Sequence, residues 1–188
     1  MYEAFNKELS YIKDEKIKNS LKTMLNLLPE YFYQIPASST GKYHPEFTLG
    51  DGGLVRHTKA AVRIAYELLQ NPAINNFTDE EKDLILFALT VHDGLKNGKV
   101  KSRYTAFDHP IQMSNYIKEN KDKLELNDNQ IDLVCRCIAT HMGPWTTDFN
   151  GNEILEAPKD KYQRFVHMCD YLASRKFLNI KFENNEIN

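Results

Sequence analysis

Apolar positions along this chain recur at intervals of three and four, the spacing that lines one face of an α-helix. Almost nowhere do they alternate one by one, as a half-buried strand requires. The first such stretch, about residues 5–28, carries Leu9, Ile12, Ile17, Leu21, Met24, Leu25 and Leu28 and stops before Pro29. A second, about 53–70, carries Leu54, Ala61, Ile64, Ala65 and Leu68. Thr78-Asp79-Glu80-Glu81 supplies a capping hydroxyl and an acidic first turn to a third helix, running through Leu84, Ile85, Ala88 and Leu89 to His92. Three more are predicted over about 109–121, 128–141 and 160–178, the first with Asp108 as cap and Pro110 where proline is tolerated. The loop at about 34–52, QIPASSTGKYHPEFTLGDG, is long for a compact domain, a mark of function or mobility. A basic loop at about 94–107 and a Gly- and Trp-containing loop at about 142–158 separate the later helices, and the polar tail from Glu183 is predicted to fray. The pattern predicts an all-α, single-domain helical bundle with a core at about 36–178 and an N-terminal helix before it.

The 188 residues suffice for one real hydrophobic core, and 41% hydrophobic with 27% charged residues is the balance of an ordinary globular protein. A formal net charge of −2 provides no overall basic field, so a nucleic-acid substrate would have to be drawn by a local patch. Three cysteines, Cys135, Cys137 and Cys169, form no disulfide framework and read as core thiols in a reducing compartment. No apolar run approaches the roughly 20 residues that span a bilayer, and the N-terminus is charged throughout, unlike a signal peptide. A cytoplasmic protein is expected, with no membrane association and no obligate protein partner evident.

The chemistry lies in where the histidines fall. His92-Asp93 closes an apolar helix, His57 sits near the start of another after Gly52-Gly53, His109 opens one, and His141 ends one before Gly143-Pro144. Asp170 lies among Cys169, Leu172 and Ala173, so burial is predicted for it, and a buried carboxylate is costly unless paired or bound to metal. A divalent cation is held by neutral imidazoles and carboxylates converging from different elements. Helix ends deliver such side chains to a common surface without stranding backbone polar groups.

The order His57, His92-Asp93, Asp170, in the contexts GGLVRHT, HDGLK and CDYLASR, resembles the HD superfamily of metal-dependent phosphohydrolases over about residues 36–176. His109 and His141, the latter in THMGP, resemble the members that bind two metals, among which the HD domain of bacterial 3′–5′ exoribonucleases is similar. The resemblance implies an HD-type fold in which His57, His92, Asp93 and Asp170 hold one ion. His109 and His141 would hold a second, and Asp93 would bridge them, since a carboxylate can bind two cations. One or two divalent ions are expected, drawn from Mn, Fe, Ni, Co, Zn and Mg. The implied reaction is hydrolysis of a phosphate ester, with metal-bound hydroxide attacking phosphorus. The implied partner is a phosphorylated small molecule or short oligonucleotide. Phosphodiester cleavage in nucleotides, cyclic nucleotides or short oligonucleotides comes first; a nucleotide monophosphatase or dNTP triphosphohydrolase is the alternative. Two departures stand out. The chain reads His92-Asp93-Gly94-Leu95-Lys96 where the family often has His-Asp-Ile-Gly-Lys, and its first 35 residues read as helix, where the exoribonucleases carry an oligonucleotide-binding module.

Lys96, one helical turn past Asp93, stands where the family places a lysine. It is expected to stabilise phosphate charge or orient Asp93, the two forming the catalytic pair. Arg56, Lys99, Lys101 and Arg103 are candidates for substrate phosphates, though each alone also reads as a solvated cation. His44, in the long loop, is a candidate for substrate binding. Trp145 is either a base-stacking platform or an aromatic lid on the core. His167 reads as structural, and Ser174 as either a hydrogen-bonding neighbour of the metal or a buried small residue. Two other classes stay open: an inactive metal-binding HD module acting as sensor or scaffold, against which the full ligand set and Lys96 speak, and a di-iron oxygenase, for which no redox-specific residue speaks.

Overall fold

The computed structural model describes residues 1–38, 41–178 and 180–187; Ser39 and Thr40 of the long loop, and Asn179 and Asn188 of the tail, lie outside the described residues. The fold is all-α: α1 (Asn6–Leu9), α2 (Glu15–Leu27), α3 (Gly53–Leu69), α4 (Asp79–Val91), α5 (His109–Glu119), α6 (Asp128–Ala139) and α7 (Lys161–Ala173), with short 3-10 turns between. The helix of LILFALTV is the centre. Every residue of α4 from Asp83 to Val91 is buried, as a helix that is apolar all round must be. Against it pack α2, α3, α6 and α7, while α5 lies along α6 and α3 along α7. Three helices open on reciprocal capping boxes: Thr78 with Glu81, Asn127 with Gln130, and Asp160 with Gln163. Asp108 differs from expectation. It caps no backbone N–H, and its Oδ1 instead accepts from Gln112 Nε2 at 2.8 Å.

The single helix expected over about 5–28 is broken at residues 10–14. The carboxylate of Asp83, buried on α4, accepts the backbone N–H groups of Lys13 and Asp14 at 3.0 and 2.8 Å, and Asp14 in turn caps α2 through Lys16 and Ile17. A tertiary acceptor thus takes donors that a continuous helix would have used internally. The tail also departs from expectation. Phe182–Glu183 (β1) and Glu186–Ile187 (β2) pair antiparallel through a turn whose Asn184 and Asn185 both have positive φ, 52° and 65°, the two-residue geometry that matches strand twist. The hairpin docks on the start of α3. Lys59, buried, bonds Glu186 and lies 3.6 Å from Glu8 Oε2; Lys7 Nζ donates to the Ile187 carbonyl at 2.7 Å; Arg56 Nη1 donates to Asn185 Oδ1 at 3.0 Å.

The Gly52-Gly53 pair that opens α3 has two separate causes. Gly52 has a left-handed φ of +69°, and a Cβ on Gly53 would lie 2.1 Å from the Thr48 carbonyl oxygen. The three cysteines are free and buried. No helix among the described residues is long and apolar enough to cross a membrane.

Candidate metal centre

His57 sits one turn into α3, His92 caps the end of α4, Asp93 follows it, His109 opens α5, His141 lies in the turn just past α6, and Asp170 is near the end of α7. The bundle brings all six together. His57 Nε2 is 2.9 Å and His92 Nε2 3.3 Å from Asp170 Oδ1. Asp93 faces both ways: its Oδ1 is 2.9 Å from His109 Nε2 and 3.6 Å from His141 Nε2, and its Oδ2 is 3.5 Å from His92 Nε2 and 3.9 Å from His57 Nε2. The ligand atoms of His57, His92 and Asp170, and those of His92, Asp93 and His141, each lie within 4.8 Å of one another.

Each ring at the end of a helix is aimed by its own turn. Nδ1 of His92, His109 and His141 lies 2.6, 2.7 and 2.8 Å from the carbonyl three residues before it, at Leu89, Ala106 and Ile138. A carbonyl only accepts, so each Nδ1 carries a proton, and whenever the ring is neutral its Nε2 presents a lone pair to the centre. Lone pairs then face lone pairs. His109 and His141 meet at 3.2 Å between their Nε2 atoms, and His92 Nε2 and Asp93 Oδ1 are buried without an aligned hydrogen-bond partner. Such an arrangement is costly unless a cation lies among them. Four imidazole nitrogens and two carboxylates form the mixed N/O donor set that divalent transition ions take, so the residues fit a metal.

The charges of the site reinforce one another. Burial opposes charge on His92, but Asp93 and Asp170 overcome it and raise its pKa to about 10. Burial likewise opposes the charged carboxylates, yet Lys96 and His92 hold Asp93, and His92 and His57 hold Asp170, well below the ordinary range. At His109 burial prevails and the pKa falls. Lys96 Nζ donates to Asp93 Oδ2 at 2.5 Å. Only Asp170 among these six residues reaches the surface, at the floor of a cleft of about 490 Å³ walled by His44, Lys96, Trp145, His167, Tyr171 and Arg175.

The HD domain family model matches residues 54–175, well over half of the chain. The chain belongs to the HD domain family. No curated protein and no solved structure matches it. HD domains are in general metal-dependent phosphohydrolases, and in this one the His-Asp dipeptide stands at the hub of the ligand cluster.

Other expected site residues divide between the cleft and elsewhere. In this HD domain the Gly94-Leu95 order leaves Lys96 in reach of Asp93 and the cleft. His44 lies 5.7 Å from His57, ring to ring, and burial, then His57 and Lys96, lower its pKa to about 4. Trp145 stands on the cleft wall rather than on the core, with half its surface exposed. Arg56, Lys99 and Arg103 do not line this cleft. Arg56 is spent on structure, donating to the Phe47 and Leu49 carbonyls at 2.5 and 2.8 Å and to the tail hairpin. Lys99 pairs with Glu119 at 2.7 Å, and Arg103 lies over Tyr104. Lys101 is exposed and lines a different hollow beside Arg103. Their clustering in one loop resembled a phosphate-binding patch, but loop direction is not written in local sequence. Tyr43, Tyr171 and Arg175 are cleft residues that the sequence did not single out. The last two follow Asp170 by one and five positions, a spacing that places them around the same helix end.

His167 does more than fill space. Its Nδ1 donates to the His141 carbonyl at 2.7 Å, tying α7 to the turn that carries a ligand, and its ring forms part of the cleft wall. Gly143, with φ +69°, lets that ring approach, since a Cβ there would lie 2.1 Å from His167 Cε1. Gly143→Ala is therefore expected to cost about 1–3 kcal/mol, combining left-handed strain with the clash. Thermal denaturation checks this; a variant as stable as the parent would contradict it.

Proposed function

We propose that this HD domain is a two-metal phosphodiesterase acting on nucleotides, cyclic nucleotides or short oligonucleotides. The observation that carries the reading is the two-sided setting of Asp93, with one oxygen toward His109 and His141 and the other toward His92 and His57. His57, His92, Asp93, His109, His141 and Asp170 would hold the ions. Divalent ions held there would supply Lewis acidity, lowering the pKa of a water and neutralising charge on the phosphoryl oxygens.

The chain's own groups set the stage for that chemistry. Lys96 fixes Asp93 through Oδ2 and presents its ammonium to the cleft, where a phosphate enters. The Leu89, Ala106 and Ile138 carbonyls prevent the rings of His92, His109 and His141 from turning. Burial of five of the six ligands leaves the Asp170 edge as the side from which substrate approaches and excludes bulk water elsewhere. His44 meets the substrate as an uncharged imidazole able to share a hydrogen bond, not as a cation.

The test is metal analysis followed by assay on bis(p-nitrophenyl) phosphate and p-nitrophenyl phosphate with Mn²⁺, Co²⁺, Ni²⁺, Zn²⁺ and Mg²⁺. Two ions per chain with the diester preferred supports the reading; preference for the monoester favours the monophosphatase, and bound metal without turnover favours the sensor. His109→Ala is expected to bring the metal content from two to one. It should also lower diester turnover by more than the roughly 10–100-fold that losing an outer partner costs. Unchanged stoichiometry would remove His109 from the ligand set.

A further inference from the structure

Part of the wall of the cleft that Lys96 lines is aromatic. Trp145 and Tyr171 lie nearly parallel, 16° apart with centroids at 5.9 Å, and the guanidinium of Arg175 sits 4.2 Å over the Tyr171 ring. Tyr171, Ser174 and Arg175 continue α7 directly past Asp170, and Trp145 projects from the loop that follows His141, so this wall grows out of the same elements that carry two ligands. Trp145 keeps 49% and Tyr171 37% of its surface exposed, and because the two rings adjoin, they present one contiguous aromatic surface to the cleft. Arg175 is held by Ser174, with Nε and Nη2 donating to its Oγ at 3.1 and 2.8 Å, and among the described residues it pairs with no carboxylate. A planar apolar surface beside a cation, next to a metal centre, suits a ligand that is itself planar and anionic.

We propose that Trp145, Tyr171 and Arg175 form a specificity wall that takes a single nucleobase while the attached phosphate lies at the metal centre. This rests on the phosphohydrolase reading of that centre and narrows it: the wall rewards an aromatic heterocycle and ignores the sugar or alkyl remainder. The base stacks on the open face of Trp145, and Arg175 contributes its charge to the nucleotide's second anionic oxygen or to the ring face. The size of the cleft, about 490 Å³, matches one ligand of nucleotide dimensions in the usual range of roughly 300–1,000 Å³.

Trp145 is the only tryptophan in the chain, so its fluorescence reports stacking directly and independently of turnover. Adenosine 5′-monophosphate and ribose 5-phosphate are titrated against the full chain without added metal and with Ca²⁺. Saturable quenching by the nucleotide and none by ribose 5-phosphate is the expected result; equal responses, or no response to the nucleotide, overturn the proposal. Tyr171→Leu and Arg175→Met, read by the same Trp145 signal, are each expected to weaken nucleotide binding about tenfold. Tyr171→Leu should leave turnover of a base-free dialkyl phosphodiester unchanged, and Tyr171→Phe should retain binding. Loss of base-free turnover in Tyr171→Leu would mean damage to the metal centre and would also count against the wall. If the nucleotide quenches but no ester is cleaved with any metal, the hydrolase reading fails while the subsite stands.

Discussion

Asp93→Ala is expected to lose bound metal and ester hydrolysis together while its far-ultraviolet circular dichroism stays that of the parent. The residue lies just past α4, so no helix depends on its side chain, and its carboxylate faces Lys96 and the four imidazoles. Removing it withdraws ligand oxygens from both halves of the cluster at once and leaves Lys96 without its partner. Metal affinity should fall by well over the roughly 10–100-fold that attends loss of a supporting group, and turnover should reach background. Asp93→Asn separates charge from shape, since it keeps the volume and one oxygen but not the second anionic donor. It is expected to retain the fold and at most one weakly held ion. Inductively coupled plasma analysis with the diester assay gives the readout; normal metal content in either variant would refute the role given to this carboxylate.

The second large effect concerns stability. Lys59 is 1% exposed, and its ammonium is placed between Glu8, itself buried, and Glu186 of the tail hairpin. Lys59→Met keeps most of the volume but strands Glu8, whose Oε2, the oxygen 3.6 Å from the Lys59 ammonium, has no hydrogen-bond partner. Breaking one side of a buried pair costs about 3–5 kcal/mol, here a fall in Tm of about 10 °C. The pH dependence follows from Glu8. Burial raises its pKa above the ordinary glutamate value, against the pull of Lys59, and removing Lys59 raises it further. A raised native pKa means the folded state holds the proton more tightly. The variant should thus be closest to the parent below about pH 4.5, the unfolded value, and lose ground as pH rises through the folded one. Lys59→Met with Glu8→Gln should regain most of the deficit. A deficit that does not change with pH, or is under about 1 kcal/mol at neutral pH, would show that the cluster contributes little.

Helix positions were readable because their causes are local. Thr78 with Glu81 and the apolar stretch from Leu84 announce α4, and His57, His92-Asp93 and Asp170 could be ordered by their short contexts. What escaped was whatever a distant residue decides. Nothing near Ser10 says that Asp83 will take the Lys13 and Asp14 amides and end α1. Asn184-Asn185 is a passable hairpin turn, but its two-residue strands hold only because Lys59, Lys7 and Arg56 receive them. The same fact explains Arg56: beside His57 in sequence it reads as a phosphate ligand, but one residue along a helix points about 100° away, toward the tail. Tyr171 was hidden for a different reason, since on an apolar helix it reads as core until the packing leaves it at the rim.

The carbonyl struts behind His92, His109 and His141 have a bearing on which ion the protein will carry. Each strut belongs to the ring's own turn of backbone, so the cage is shaped before any ion arrives and need not reshape to release one. Rings aimed in this way leave little room for shape change to choose among ions of similar radius. Occupancy will then follow local supply and the intrinsic ranking of nitrogen-rich sites, and growth medium will decide the metal found in purified samples.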